Sequence, residues 1–225
     1  MRFFRSGKAA LAFMAGSLAF ASPALAAGDL LVAPTRVVLD GARGTEVILN
    51  NIGAETATYR ITLELRRMVA DGSIDDVATD AASDKEKAAL AMISYAPRRV
   101  VLPPNQPQSI RIGIRPPADL PDGEYRAHML FRAIPDAKPV AAPTAAPTGV
   151  SIALTPIYGV TIPIIVRKGS LKATAALSDV KREAIDGQPG LSLRIARQGT
   201  RSTYGRIRIN GADGKTLYET RGIAV

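Results

Sequence analysis

One stretch constrains the fold more than any other: Ile152 to Arg167, IALTPIYGVTIPIIVR. Every second residue from its start is apolar, namely Ile152, Leu154, Pro156, Tyr158, Val160, Ile162, Ile164 and Val166. The intervening positions, among them Thr155, Gly159, Thr161, Pro163 and Arg167, are mixed. Successive side chains of a strand point to opposite faces, so the run reads as one long strand with an unbroken apolar face. At roughly 3.3 Å per residue it spans about 50 Å, two to three times a usual strand. Two readings fit. The whole run is a core strand, or one end projects beyond its own fold and needs another protein to cover it.

The chain opens with Arg2, Arg5 and Lys8, then the apolar run Ala9 to Ala21, then the small-residue box Ala24-Leu25-Ala26. This is the pattern of a secretory signal peptide over 1–26, with the cut expected after Ala26. No later apolar run is long and helical enough to span a bilayer, so the mature chain is expected to be exported and not membrane-embedded. There is no Cys, so an exported chain of this kind must hold together by core packing without disulfides. The formal net charge is +9, part of it from the leader. Basic residues are interleaved with acids and form no run with stacking aromatics, which argues against nucleic acid.

The remaining chain reads as short strands between turns. Leu30–Leu39 is a strand marked by Pro34, and Thr45–Leu49 is a second, ending at the turn cluster Asn50-Asn51-Ile52-Gly53. Thr58–Arg66 alternates as a half-buried strand. Asp71–Ala91 reads as loop with a short helix at Asp84–Ala91. Met92–Tyr95 and Arg98–Leu102 are strands around Pro97, and 103–107 (PPNQP) is a rigid turn. Ser109–Arg115 and Glu124–Ile134 are further strands, the latter with Tyr125, Ala127, Met129, Phe131 and Ala133 on one face. The Ala/Pro/Thr segment 137–149 can form no core and leads into the long strand. After Lys168-Gly169 a smaller β unit follows: Leu171–Leu177, Leu191–Arg197, Tyr204–Asn210 and Thr216–Thr220. Its hairpin signals are Asp186-Gly187 and Asp213-Gly214. The fold class expected is all-β, a sandwich followed by a unit too small to be comfortable alone.

Chemistry-bearing constellations are missing. The single histidine, His128, lies on an expected strand without metal-ligand companions. With one His and no Cys, nucleophilic triads have little to work with. Asp75-Asp76 reads as a solvated pair. No catalytic residue, no metal site and no cofactor is assigned, and the chain is not expected to be an enzyme.

Several stretches, taken in order, resemble the periplasmic pilus-assembly chaperones: PTRVVLDG (34–41), the Asn50-Asn51 turn, LPPNQPQSIRI (102–112), LPDGEYRAHMLFRAIP (120–135), and the long strand ending IIVR (164–167). The resemblance runs from Leu30 to Gly169 and is weaker beyond. It implies two immunoglobulin-like β-sandwiches in an L arrangement: 27–168, and a short 169–225 that is either divergent or truncated. It also implies a periplasmic chaperone that lends its long strand to a pilin subunit lacking one. This is donor-strand complementation, which keeps the subunit folded until an outer-membrane usher takes it. On that resemblance the groove-filling donor residues are Ile152, Leu154, Tyr158 and Val160. Arg36 falls on the cleft arginine that binds the subunit's terminal carboxylate, an anion suited to a guanidinium fork. The family's companion lysine is replaced here by Pro163. Glu124 and Arg167 fall on an interdomain ion pair whose third, acidic member has no match in the second unit. The competing reading is an exported immunoglobulin-like adhesin or structural fibre subunit. Such a subunit would carry its alternating donor as an N-terminal extension, whereas here the alternating run is internal.

Overall fold

The computed structural model describes residues 30–41, 44–135 and 157–225. The expected signal peptide, the Ala/Pro/Thr segment, and the donor positions Ile152 and Leu154 lie outside the described residues. Among those described there are fourteen strands, one short α-helix and one 3-10 turn.

The first unit is a sandwich of two sheets. One sheet has the order β1 (Leu30–Ala33), β3 (Gly44–Asn51), β8 (Pro107–Ile114), β6 (Ile93–Ala96). The other has the order β2 (Val37–Asp40), β10 (Gly159–Lys168), β9 (Gly123–Ile134), β4 (Ala57–Met68), β5 (Ile74–Val77), and β7 (Arg99–Leu102) pairs the first half of β4. The inner faces meet in one core. The first sheet contributes Val47, Leu49, Ile110 and Ile112; the second contributes Leu39, Tyr59, Ile61, Met129, Phe131, Ile162, Ile164 and Val166. Two facing sheets with alternating inward residues are the immunoglobulin-like arrangement. Tyr125 adds a detail typical of that fold, because its hydroxyl donates to the Pro121 carbonyl four residues upstream at 2.6 Å, tying a corner before β9.

Two expectations need correction. Leu30–Leu39 is not one strand. The chain breaks at Pro34, and its halves β1 and β2 join different sheets, so a single short segment closes both layers at one edge. The stretch read as loop before the helix contains β5, whose Ile74–Val77 pairs Leu65–Met68. Its residues are acidic and exposed, so no apolar alternation announces it.

The helix α1 spans Asp84–Met92, where a short helix was expected. Ser83 Oγ accepts from the Glu86 amide, and the Glu86 carboxylate accepts from the Ser83 amide, a reciprocal capping box. Glu86 also takes two bonds from Arg67 of β4, at 3.1 and 2.7 Å, which ties the helix to the sheet. Asn51 is fully buried and fixes the turn named in the sequence. Its amide donates to the Glu55 and Leu102 carbonyls, and its Oδ1 accepts from Gly53 N.

The chain after Gly169 is different. It forms two separate hairpins, β11 (Ala173–Ile185) with β12 (Gln188–Gly199), and β13 (Tyr204–Asn210) with β14 (Thr216–Ala224). Among the described residues no apolar side chain beyond Val166 is buried. Leu177, Val180, Leu217 and Tyr218 are all more than half exposed. The second unit is thus small, with hairpin ladders but no buried apolar interior among the described residues. The β11 and β12 ladders run further than the sequence pattern suggests, because the Asp186-Gly187 turn (φ +51° and +75°) fixes register where burial does not.

Candidate functional site

Outward-facing residues of the second sheet gather charge at the junction with the hairpins. The register pairs Arg167 of β10 with Glu124 of β9, and both alternate away from the core. Arg167 Nε donates to Glu124 Oε2 at 3.0 Å, with side chains only 13% and 9% exposed. Arg126, two residues along β9 on the same face, donates to Glu124 Oε1 at 3.0 Å. No acidic side chain of the second unit joins them among the described residues, and the backbone of Ser202 does. The Ser202 amide donates to Glu124 Oε2 at 3.1 Å, and its carbonyl accepts from Arg167 at 3.2 Å. Burial alone would raise the Glu124 pKa. The hydrogen bonds from Ser202 and Arg167 and the charge of Arg126 outweigh it, so Glu124 is held below the ordinary carboxylate value.

Arg36 lies just before β2. The parallel register pairs Val37 with Ile164, so Arg36 falls one step back, beside Pro163. Its guanidinium stacks over the Tyr204 ring at 4.5 Å and donates to Ser202 Oγ at a long 3.4 Å. Burial, then repulsion by Arg126 and Arg167, lowers its pKa despite Glu124. Three guanidinium groups therefore share one carboxylate, and the excess is positive. The sequence reading brought Arg36, Glu124 and Arg167 to this junction separately, and the structure places them in one network. It missed Arg126, Ser202 and Tyr204. Ser202 acts mainly through its backbone and carries no residue-type signal. Arg126 could have been found from its two-residue spacing to Glu124 on one strand face.

Lys168 was also missed. Its ammonium donates to the carbonyls of Pro117, Ala118 and Leu120, a three-donor group meeting three acceptors, and so pins the end of β10 to that loop. The next position favours glycine. Gly169 has φ +82°, and a Cβ there would lie 1.9 Å from Asp122 Oδ2.

The long strand shows two environments. Ile162, Ile164 and Val166 are buried, as the alternation predicts, and Val160 is half-buried against the same core. Tyr158 is 50% exposed. One edge of β10 pairs β9 along its whole length, whereas β2 covers the other edge only from Ile164 to Arg167. The Ala133 amide donates to the Tyr158 carbonyl at 2.9 Å. Bonding direction alternates along an antiparallel strand, so Tyr158, Val160 and Ile162 bond towards β9. Gly159 and Thr161 turn their amides and carbonyls to the other edge, which has no strand beside it among the described residues. Pro163 falls on that same set, where its missing N–H subtracts nothing from the β9 ladder.

Among the described residues, no group of His, Asp and Glu is arranged to hold a metal ion, and no helix is long and apolar enough to cross a membrane.

No family model and no curated protein matches this sequence. Solved structures do. A chaperone–tip adhesin complex of CFA/I fimbriae biogenesis matches with 13% identity and a TM-score of 0.48, covering 88% of this chain and 81% of that one. The CsuC–CsuE chaperone–tip subunit pre-assembly complex from the archaic Csu pili of Acinetobacter baumannii matches with 15% identity and a TM-score of 0.47, covering 87% and 82%. The E. coli chaperone DraB matches with 14% identity and a TM-score of 0.43, covering 88% and 97%.

Proposed function

We propose that this chain is a periplasmic chaperone that captures pilus or fimbrial subunits by donor-strand complementation and holds them for an outer-membrane usher. The observation that carries the reading is the half-covered β10. Its C-terminal half is locked into the core between β2 and β9, while Gly159 and Thr161 present backbone to the other edge, where no strand lies beside them among the described residues. The alternation Ile152, Leu154, Tyr158 extends this strand upstream, while Val160, expected among the donor residues, packs against the chain's own core. An incoming subunit strand would satisfy that edge by main-chain bonds and accept the upstream apolar residues in its groove. Arg36, in a cluster with excess positive charge, would take the subunit's terminal carboxylate. Its planar face is already fixed by Tyr204, which lowers the entropy cost of capture. Glu124, Arg167 and the Ser202 backbone would set the angle between 27–168 and 169–225.

The test is capture of a strand-deficient pilin subunit by wild-type and Arg36→Ala chains. A bidentate charge-assisted contact is worth roughly 1.5–3 kcal/mol per bond, reduced by solvent in an open cleft, so a loss of about tenfold or more is expected. The loss should shrink for a subunit extended past its natural C-terminus. Equal affinities of the two chains would remove Arg36 from the site, and failure of the wild-type chain to retain any such subunit would overturn the chaperone reading.

A further inference from the structure

A second charged recess lies beside the junction and is not used by the reading above. It has a volume of 640 Å³ and is bounded by α1, by β9 and the loop before it, and by the end of β12 with its following loop. Its basic side chains are Lys85, Arg126, Arg197 and Arg201, against Asp122 and Glu124. Glu124 is already consumed by Arg126 and Arg167. The Lys85 ammonium sits 5.5 Å from the centroid of the Tyr125 ring. Arg197 donates one nitrogen to the Gly199 and Arg201 carbonyls, leaving the rest of its fork unused. No carboxylate among the described residues forms an ion pair with Lys85, Arg197 or Arg201. Three uncompensated cations therefore face two anions, the Asp122 side chain and the terminal carboxylate of Val225, and the recess keeps an excess of positive charge. Part of the lining is apolar, with Met68 and Val69 each 36% exposed.

We infer that this recess binds an acidic polypeptide segment, its carboxylates on Lys85, Arg197 and Arg201 and an apolar side chain against Met68 and Val69. A segment held there contacts both the sandwich and the first hairpin, and so braces them. The mixed wall selects a peptide over a bare polyanion, because phosphate groups would leave Met68 and Val69 uncovered. The inference stands whether or not β10 pairs with a subunit.

Fluorescence anisotropy of the mature chain with a short labelled Glu/Leu peptide tests this, with a Lys/Leu peptide and inorganic polyphosphate as comparators. The Glu/Leu peptide should bind, should weaken as salt rises, and should lose roughly tenfold in affinity in the Arg197→Gln/Arg201→Gln variant. Lys85→Gln and Arg201→Gln remove no hydrogen bond within the chain, so each alone should weaken binding without shifting the thermal unfolding curve. Arg36→Ala should leave binding unchanged. Absence of binding by the wild-type chain, equal binding of the Lys/Leu peptide, tighter binding of polyphosphate, or dependence on Arg36 instead of Arg197 and Arg201 would each overturn the inference.

Discussion

Two buried titratable groups carry opposite lessons. Glu124 is charged and over-satisfied, so removing it strands Arg126 and Arg167 in a poorly hydrated place. Breaking a buried pair from one side costs about 3–5 kcal/mol in full burial, and about half that is expected here because Arg126 stays partly exposed. Urea unfolding of Glu124→Ala at pH 7 measures it. The folded pKa of Glu124 lies below its ordinary 4.5, so its stabilisation is present above that value and is lost as pH falls through the folded value. The gap between wild type and variant should therefore close in acid. His128 is the reverse case. It is 6% exposed, its Nδ1 has no hydrogen-bond partner, and burial, then repulsion by Arg126 and Arg66, pushes its pKa to about 4 from 6.5. The unfolded chain takes the proton first, so stability falls as pH drops from 6.5 towards 4, by on the order of 2–3 kcal/mol. His128→Leu should abolish most of that loss. Urea midpoints at pH 7 and pH 5 check it, and an unchanged pH slope would assign the acid sensitivity to other groups.

The division of β10 into a buried half and an open half predicts two kinds of mutant. Ile164→Ala empties a fully buried site facing the other sheet and should cost about 2–5 kcal/mol. Tyr158→Ala, half-exposed beyond the core, should change stability by no more than about 0.5 kcal/mol yet weaken subunit capture. Equilibrium unfolding beside a capture assay separates them, and a Tyr158 variant that unfolds would place this residue in the chain's own core. The alternation that made Ile162, Ile164 and Val166 legible as core is the direct imprint of a strand buried on one face. Where burial is absent the imprint fades. The acidic β5 and the exposed hairpins carry little periodicity, so β5 went unread and β11, β12 and β14 run past their expected ends, whereas Tyr204–Asn210 is found with the bounds expected. The division of Leu30–Leu39 between two sheets was hidden for another reason, since both halves alternate correctly and only Pro34 marks the crossing. In the site, Arg36, Glu124 and Arg167 were legible through a resemblance of short motifs. Ser202 and Lys168 were not, because one works through its backbone and the other through carbonyl acceptors that any residue can supply.

Seen whole, the chain is a well-filled sandwich carrying two hairpins on a short list of polar ties: Lys168 to the 117–120 carbonyls, Glu124 and Arg167 to Ser202, and Arg36 to Tyr204. Local stability follows buried contact, so amides of 173–224 should exchange with solvent well before those of β4, β9 and the inner half of β10. Uniform protection across both regions would mean that the hairpins have a packing partner. The same experiment asks whether the edge of β10 that no described strand covers receives another chain's strand. Hydrogen exchange at the Gly159 and Thr161 amides, read in the free protein and again with a strand-deficient pilin subunit bound, tests it most directly. Fast exchange is expected at both amides in the free protein and strong protection in the complex, with Val160 and Ile162 protected in both states by β9. Exchange at Gly159 and Thr161 that is already slow in the free protein, or unchanged when the subunit binds, would contradict it.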